Sequence, residues 1–471
     1  MKVKAIPSTW LKQEGRRLDC GPYMSGALEA KVILETLPVQ KMPLKNVTLR
    51  GEHGIVNAGR FRRLWVENEK YGVPFLSSSS ILHSDLSNLP LISKKAVEES
   101  PQLVIYKGQT LITRSGTIGR MAYTRPNMDG LACSEHVMRV IPDESVIPPG
   151  YLYAYLSSKF GVPLVVSGTY GAIIQHIEPH HIADLPVPRL GDKVEKKAHA
   201  LVEEAAEGLS QYAELLRTAT DSLLQTTHVS NPNKNEWFSD KSDLGFSISS
   251  KELSVFRAWN HSRRVKRLRD EIQNGKWSRL GDIVSFEWLR WRKLFKRIDA
   301  DPEFGIEVIT QKPLFHLFPE GRWLSREYLL NHSDKYLVPD ETILIAKQGT
   351  LGEQELYCRC ELVTGPRMLE KAYSDHCMRI VAKRDLVDPC YLFAFLRSNT
   401  AFRILRALSE GAKQQDLHWR TVPNIPIPRC SERDEKEISD KVRTAFSLRT
   451  NAVELLVQAR ALVEQAIEEA S

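Results

Sequence analysis

The chain is written twice. Ser134-Glu135-His136-Val137-Met138-Arg139-Val140 returns 240 residues later as Ser374-Asp375-His376-Cys377-Met378-Arg379-Ile380. Tyr151-Leu152-Tyr153-Ala154-Tyr155-Leu156 returns at the same offset as Tyr391-Leu392-Phe393-Ala394-Phe395-Leu396, and Ile182-Ala183-Asp184-Leu185-Pro186-Val187-Pro188-Arg189 as Val422-Pro423-Asn424-Ile425-Pro426-Ile427-Pro428-Arg429. Upstream the offset is 233, where Leu111-Ile112-Thr113-Arg114-Ser115-Gly116-Thr117-Ile118-Gly119 matches Leu344-Ile345-Ala346-Lys347-Gln348-Gly349-Thr350-Leu351-Gly352. A period this long is not a solenoid, whose repeats run to roughly 20–50 residues. Each copy is long enough to bury its own core, so two globular units are expected in 471 residues.

The duplicated runs differ in kind. Thr110-Leu111-Ile112-Thr113 and Ile343-Leu344-Ile345-Ala346 read as buried strands, each followed by a basic residue and a Gly-x-x-Gly turn. The glycines there allow positive φ or a close backbone approach. Residues 151–160 and 391–402 have helix-like apolar spacing, with Tyr151, Tyr155, Tyr391 and Phe395 facing inward. Each unit then ends in Pro-x-Pro and passes into a long helix, expected over residues 193–225 and 433–468. Val202, Ala206, Leu209, Ala213, Leu216, Thr220 and Leu223 step by 4 and 3, a heptad stripe. Val442, Ala445, Ala452, Leu456, Ala459, Val463 and Ala466 do the same, with Arg449 interrupting. Two such helices are expected to pair as an antiparallel coil. In contrast, residues 47–101 and 284–339 share almost nothing. The copies agree where a scaffold would be built and differ where a surface would be tuned.

Charge separates along the same lines. Of the net +7, residues 191–228 and 431–471 carry −3 each, so the two globular units hold +13. The densest stretch, residues 251–297, has 14 basic against 5 acidic residues. Basic units joined by acidic helices suggest a bound polyanion, although a solvated basic surface would give the same count. Seven scattered cysteines fit reduced thiols better than a disulfide framework. No apolar run approaches the roughly 20 residues that cross a bilayer, and residues 1–10 lack a signal-peptide pattern. A cytoplasmic protein is expected.

Chemistry is absent from the motifs. There is no nucleotide-binding Gly-x-x-x-x-Gly-Lys-Ser/Thr, no glycine motif for S-adenosylmethionine and no Asn/Asp-Pro-Pro-Tyr/Phe methyltransferase signature; Asn231-Pro232-Asn233 lacks the second proline and the aromatic. His136 and His376 have no nucleophile or acid at matching spacing and read as structural. Cys358-Arg359-Cys360 with His376-Cys377 has no counterpart in the first copy and a spacing unlike common zinc modules. Binding is the better-supported class. Arg114 and Lys347 precede the Gly turns, with Ser115, Thr117, Gln348 and Thr350 beside them. Arg290, Arg292 and Lys293 are interleaved with Trp288 and Trp291. The polar loops holding Tyr170, Gln175 and His176 in one copy and Lys413, Gln414, Gln415 and His418 in the other could read base edges or cap their own loops.

The duplicated Ser/Gln-Gly-Thr-Ile/Leu-Gly turn, the Ser-Glu/Asp-His…Arg strand, the Tyr/Phe-rich helix and the Pro-x-Pro stop before a long helix resemble the specificity (S) subunits of type I restriction–modification systems. The resemblance covers essentially the whole chain. It implies an α/β (α+β type) fold in which two target-recognition domains, residues 1–190 and 231–430, are separated by two long helices forming an antiparallel coiled coil, residues 191–230 and 431–471. It also implies a non-catalytic subunit that recognises a two-part, asymmetric sequence in double-stranded DNA. Two adenine-methylating modification subunits would be its partners, joined by restriction/translocase subunits in the full complex. The S-adenosylmethionine cofactor would reside in the modification subunits, and this chain itself would hold no cofactor or metal.

Overall fold

The computed structural model describes residues 3–13, 20–167, 176–241, 245, 247–250, 253 and 257–471. The chain divides into two compact units, one formed by Met1–Ser210 with Asn451–Ser471, the other by Gln211–Thr450.

In the first unit, Thr110–Thr113 is buried at every position and lies between Val137–Val140 and Met121–Tyr123, both antiparallel to it. A run apolar on both faces belongs at the centre of a sheet, and Leu111 and Ile112 are fully buried there. A second sheet has the order Trp65–Val66, Leu91–Ser93, Gly72–Leu76, Ala132–Cys133, the last pair parallel. The second unit repeats both. Thr342–Ala346 lies between Cys360–Val363 and Cys377–Ile380. Gly305–Ile309 pairs antiparallel with Arg322–Ser325 and parallel with Ala372–Tyr373. The registers match: Phe75 lies opposite Ala132 and Leu76 opposite Cys133, as Val308 opposite Ala372 and Ile309 opposite Tyr373. Residues 47–101 and 284–339, which share almost no side chains, therefore build equivalent sheets, of four strands in the first unit and three in the second.

A buried arginine stitches each unit. Arg139 donates to the carbonyls of Val104 (2.6 Å) and Gln102. Arg379 donates to those of Lys335 (3.0 Å), Cys377 (2.9 Å) and Tyr373 (2.6 Å), and its guanidinium lies 3.9 Å from the centre of the Trp291 ring. Burial pushes Arg379 down to about 10, still charged at neutral pH.

The aromatic runs fold as helices Pro149–Leu156 and Pro389–Leu396, with Tyr151, Tyr155, Tyr391 and Phe395 at most 1% exposed. The spacing predicts a single helix for each run, but each is broken. Ser158 and Ser398 accept from the backbone N–H of Gly161 and Ala401, both at 3.1 Å, and start new helices at Gly161–Ser167 and Asn399–Ala407. Tyr151 and Tyr391 donate to the carbonyls of Pro188 (2.5 Å) and Pro428 (2.8 Å), fixing the Pro-x-Pro strands. Those strands pair with Lys41–Pro43 and Trp277–Arg279. Arg189 on Glu195 (2.8 Å) and Arg429 on Glu435 (2.7 Å) then anchor the first turns of the long helices.

The long helices run Asp192–Thr226 and Glu432–Ala470. At 1.5 Å per residue the first is about 52 Å long. The apolar stripe of each faces inward, from Val202 to Leu223 and from Val442 to Val463. In the second unit Tyr212 meets Phe446 edge-on at 5.5 Å and Lys441 Nζ lies 3.4 Å from Ser222 Oγ, so the two helices pass in opposite directions there. Arg449 is accommodated by a buried ion pair with Glu361 at 3.0 Å. Among the described residues no helix is long and apolar enough to cross a membrane.

Candidate nucleic-acid interface

Each Gly turn is pinned at its root by the same backbone bonds. Arg114 N–H donates to His136 O (3.0 Å) and Ile177 N–H to Arg114 O (3.0 Å); Lys347 N–H donates to His376 O (3.1 Å) and Leu417 N–H to Lys347 O (2.9 Å). The side chain that follows fixes the duplicated histidine: Ser115 Oγ lies 2.7 Å from His136 Nδ1, and Gln348 Oε1 bonds His376 Nδ1. In the first copy Gly116 and Gly119 take φ of +79° and +80°. A Cβ on Gly119 would sit 2.4 Å from Val166. The second copy uses close approach without a positive φ. Gln348–Gly349 is a short strand paired with Gln415–Leu417, and a Cβ on Gly349 would sit 2.9 Å from Tyr357.

The two basic residues chosen from sequence are turned inward. Arg114 is 8% exposed and donates to Ile177 O (2.9 Å), Glu135 O (3.0 Å) and Glu178. Lys347 is 5% exposed, with Asp375 3.9 Å away. Burial lowers its pKa, against the pull of Asp375 and Asp416. Gln415 is also buried and accepts from Arg257 at 2.7 Å. What these anchors hold out is Thr117 in one unit and Thr350, Lys413 and Gln414 in the other, all exposed, with Ser115, His176, Gln348 and His418 half-buried. Tyr170 and Gln175 lie outside the described residues.

The Trp-Arg run splits by side. Trp288 packs against the core near Leu344, and Trp291 packs edge-on to Tyr336 at 5.0 Å while donating to Ser333 (3.2 Å). Arg290, Arg292 and Lys293 are exposed. Arg290 lies over Phe286, Phe286 meets Trp419 at 5.5 Å, and Arg420 lies over Trp419 at 5.1 Å. Folding thus makes a surface cluster of alternating rings and guanidiniums from segments 130 residues apart.

A second pair of basic sites is invisible to sequence matching. Ser93 N–H donates to Leu64 O and Ser325 N–H to Ile298 O, both at 2.8 Å; Lys94 N–H donates to Tyr71 O (2.9 Å) and Arg326 N–H to Phe304 O (3.1 Å). These bonds equate Arg62-Arg63-Leu64 with Lys296-Arg297-Ile298, and Lys94 with Arg326. All six cations are exposed. In the first unit Arg63 closes on Glu135, reaching both carboxylate oxygens at 2.9 Å. Burial raises the Glu135 pKa, but the Arg63 bond and charge outweigh it and hold the carboxyl below its usual range.

Among the described residues no group of three His, Cys, Asp or Glu is placed to hold a metal ion, and Cys358, Cys360 and Cys377 are buried cysteines outside any disulfide. No family model matches the chain, and no curated protein matches it. Among solved structures it is similar to the type I restriction–modification S subunit from M. genitalium, at 11% identity over 92% of this chain and 96% of that one, with a TM-score of 0.34. It is likewise similar to the HsdS subunit from Thermoanaerobacter tengcongensis, at 13% identity over 92% and 98%, TM-score 0.27. A chain in a structure described as the basis of complex assembly and conformational transition of the type I R-M system is similar at 14% identity over 92% and 98%, TM-score 0.26.

Proposed function

We propose that this chain is the DNA-binding specificity subunit of a type I-like adenine-methylating complex, directing it to a bipartite, asymmetric target with one half read by each unit. The observation that carries the reading is the pair of equivalent sheets built from dissimilar residues. Both present Arg62 and Lys94, or Lys296 and Arg326, at the same backbone positions. Cations kept at fixed places hold phosphates and set register, while freely varied neighbours can read different bases. The long helices, with their small-residue stripes, would set the spacing between the half-sites and receive two modification subunits, which would bring S-adenosylmethionine. Restriction/translocase subunits would join the same assembly, in the cytoplasm.

The test is reconstitution with the methyltransferase subunits, followed by sequencing of methylated sites. A two-part target, with binding that weakens steeply as salt rises, is the expected result. Binding to partners without any salt-dependent affinity for DNA would make the chain a scaffold and end the proposal.

A further inference from the structure

The acid of the duplicated Ser-acid-His run is treated differently in the two units. Glu135 is locked by Arg63. Its counterpart Asp375 is 4% exposed, and among the described residues no hydrogen bond reaches its carboxylate. The nearest cations, Arg292 Nε and Lys347 Nζ, stand 3.9 Å away. Arg297, the counterpart of Arg63, does not close on it. Both instead line a cleft of about 530 Å³, together with Phe295, Arg322, Ser374 and His376. The Ser374 hydroxyl is buried there, with the Cys377 thiol beside it and no oxygen or nitrogen partner.

A buried carboxylate left without a donor forgoes bonds that are worth more when charge-assisted than neutral ones. The first unit shows that this fold can satisfy the same position with its own arginine. The second unit has the arginine and leaves the space open. The cleft volume falls in the roughly 300–1,000 Å³ range of small-ligand pockets, ample for a nucleobase. Arg292, exposed and loosely paired with Asp375 at 3.9 Å and Asp416 at 3.8 Å, stands beside it as a cation within reach of the DNA backbone.

We infer that this cleft is a base-reading pocket of the second unit, in which Asp375 accepts a hydrogen bond from the exocyclic amino group of cytosine or adenine. The inference rests on the reading of the chain as a DNA-binding subunit. A carboxylate has acceptors only, so it pairs with an amino group and repels the keto oxygens of guanine and thymine. One position of the second half-site is therefore restricted to cytosine or adenine on one strand.

The experiment compares methylated-site sequences of the complete complex carrying the unaltered chain, Asp375→Asn or Thr310→Trp. Asn adds a donor at nearly unchanged volume, so discrimination at that one position falls roughly ten- to a hundredfold, with the first half-site and the spacer unchanged. Thr310 is exposed and lines the same cleft, so Trp there fills the space without touching the buried acid and weakens the same position even if Asp375→Asn does not fold. An unaltered bipartite target in both variants, or in Thr310→Trp alone if the other is unfolded, overturns the inference and identifies the cleft as an open form of the Arg63–Glu135 lock. Absence of any bipartite target in the unaltered complex would instead defeat the functional reading on which it rests.

Discussion

The buried pair Arg449–Glu361 supplies its own control, because the molecule solves the same packing problem twice. Arg449 is 5% and Glu361 3% exposed, joined at 3.0 Å. Counting from the equivalent anchors Arg189 and Arg429, Arg449 corresponds to Leu209; counting across the equivalent strands, Glu361 corresponds to Ala122. Leu209 is 3% exposed and Ala122 half-buried, so the first unit places apolar residues at both positions. Burial lowers the Arg449 pKa, but the charge of Glu361 more than restores it, so the guanidinium remains charged. Removing one partner leaves an uncompensated buried charge, which costs about 3–5 kcal/mol, whereas replacing both by apolar groups is often neutral or stabilising. Arg449→Leu and Glu361→Ala should each therefore destabilise the second unit by about that amount. For a unit of this size that is roughly 6–20 °C in Tm. The double substitution, which copies the first unit's solution, should recover most of the loss. Denaturant titration read by hydrogen exchange in Cys360–Val363 measures all four corners of the cycle. Single losses below about 1 kcal/mol, or a double loss equal to the sum of the singles, would refute the reasoning.

Neutralising Arg290, Arg292, Lys293, Lys296 and Arg326 together should weaken DNA binding on every sequence alike and flatten its salt dependence by about 0.9 in log–log slope for each phosphate no longer paired with a cation; an unchanged slope counts against a role for these side chains at the DNA backbone. Replacing residues 284–339 should change only one half of the methylated sequence, and changes in both halves would argue against independent units. Four residues inserted after Ala213 lengthen the helix by roughly 6 Å and turn it about 400°, keeping most of its stripe in phase. The expected result is the same half-sites with a gap longer by one or two base pairs, and an unchanged gap in an active complex removes the helix as a ruler. Because the folded Glu135 pKa is depressed, the Arg63–Glu135 lock stabilises the first unit above the unfolded carboxyl value of about 4.3 and loses that effect as pH falls through the lower folded value. Arg63→Met should flatten this acid limb in denaturation midpoints taken from pH 6 to 3, and an identical limb in the variant would show that other carboxyls govern it.

The scaffold was legible because its residues are constrained at every position. A central strand such as Thr110–Thr113 must be apolar on both faces, and an inward helix such as Pro149–Leu156 must carry large rings at fixed steps, so both copies retained them. The break inside each aromatic run was not legible, because Ser158 and Ser398 become caps only once the following N–H groups are placed. The sheets built from residues 47–101 and 284–339 escaped for another reason. Their register drifts, from 234 at Leu64 and Ile298 to 233 at Gly72 and Gly305 and 232 at Ser93 and Ser325, so no single offset aligns them. Tryptophans among arginines suggested a reading surface, yet Trp288 and Trp291 face the core and only the charged residues beside them, Arg290, Arg292 and Lys293, face out. Trp419 and Arg420, which do meet Phe286 and Arg290 at the surface, carry no local signal for that proximity.

The division of the last helix between the units has a consequence for synthesis. Gln211–Thr450 is one uninterrupted stretch, so the second unit has all its parts soon after that stretch leaves the ribosome. The first unit, though made earlier, includes Asn451–Ser471, and its Lys159 meets Glu464 and Glu468 across more than 300 residues of chain. Closing so long a loop is slow, and translation at about 5–20 residues per second delays it further. For tens of seconds the first unit waits with apolar surface uncovered where Ala459, Val463 and Ile467 will pack. The half made first is finished last, which makes it the natural client of chaperones during synthesis.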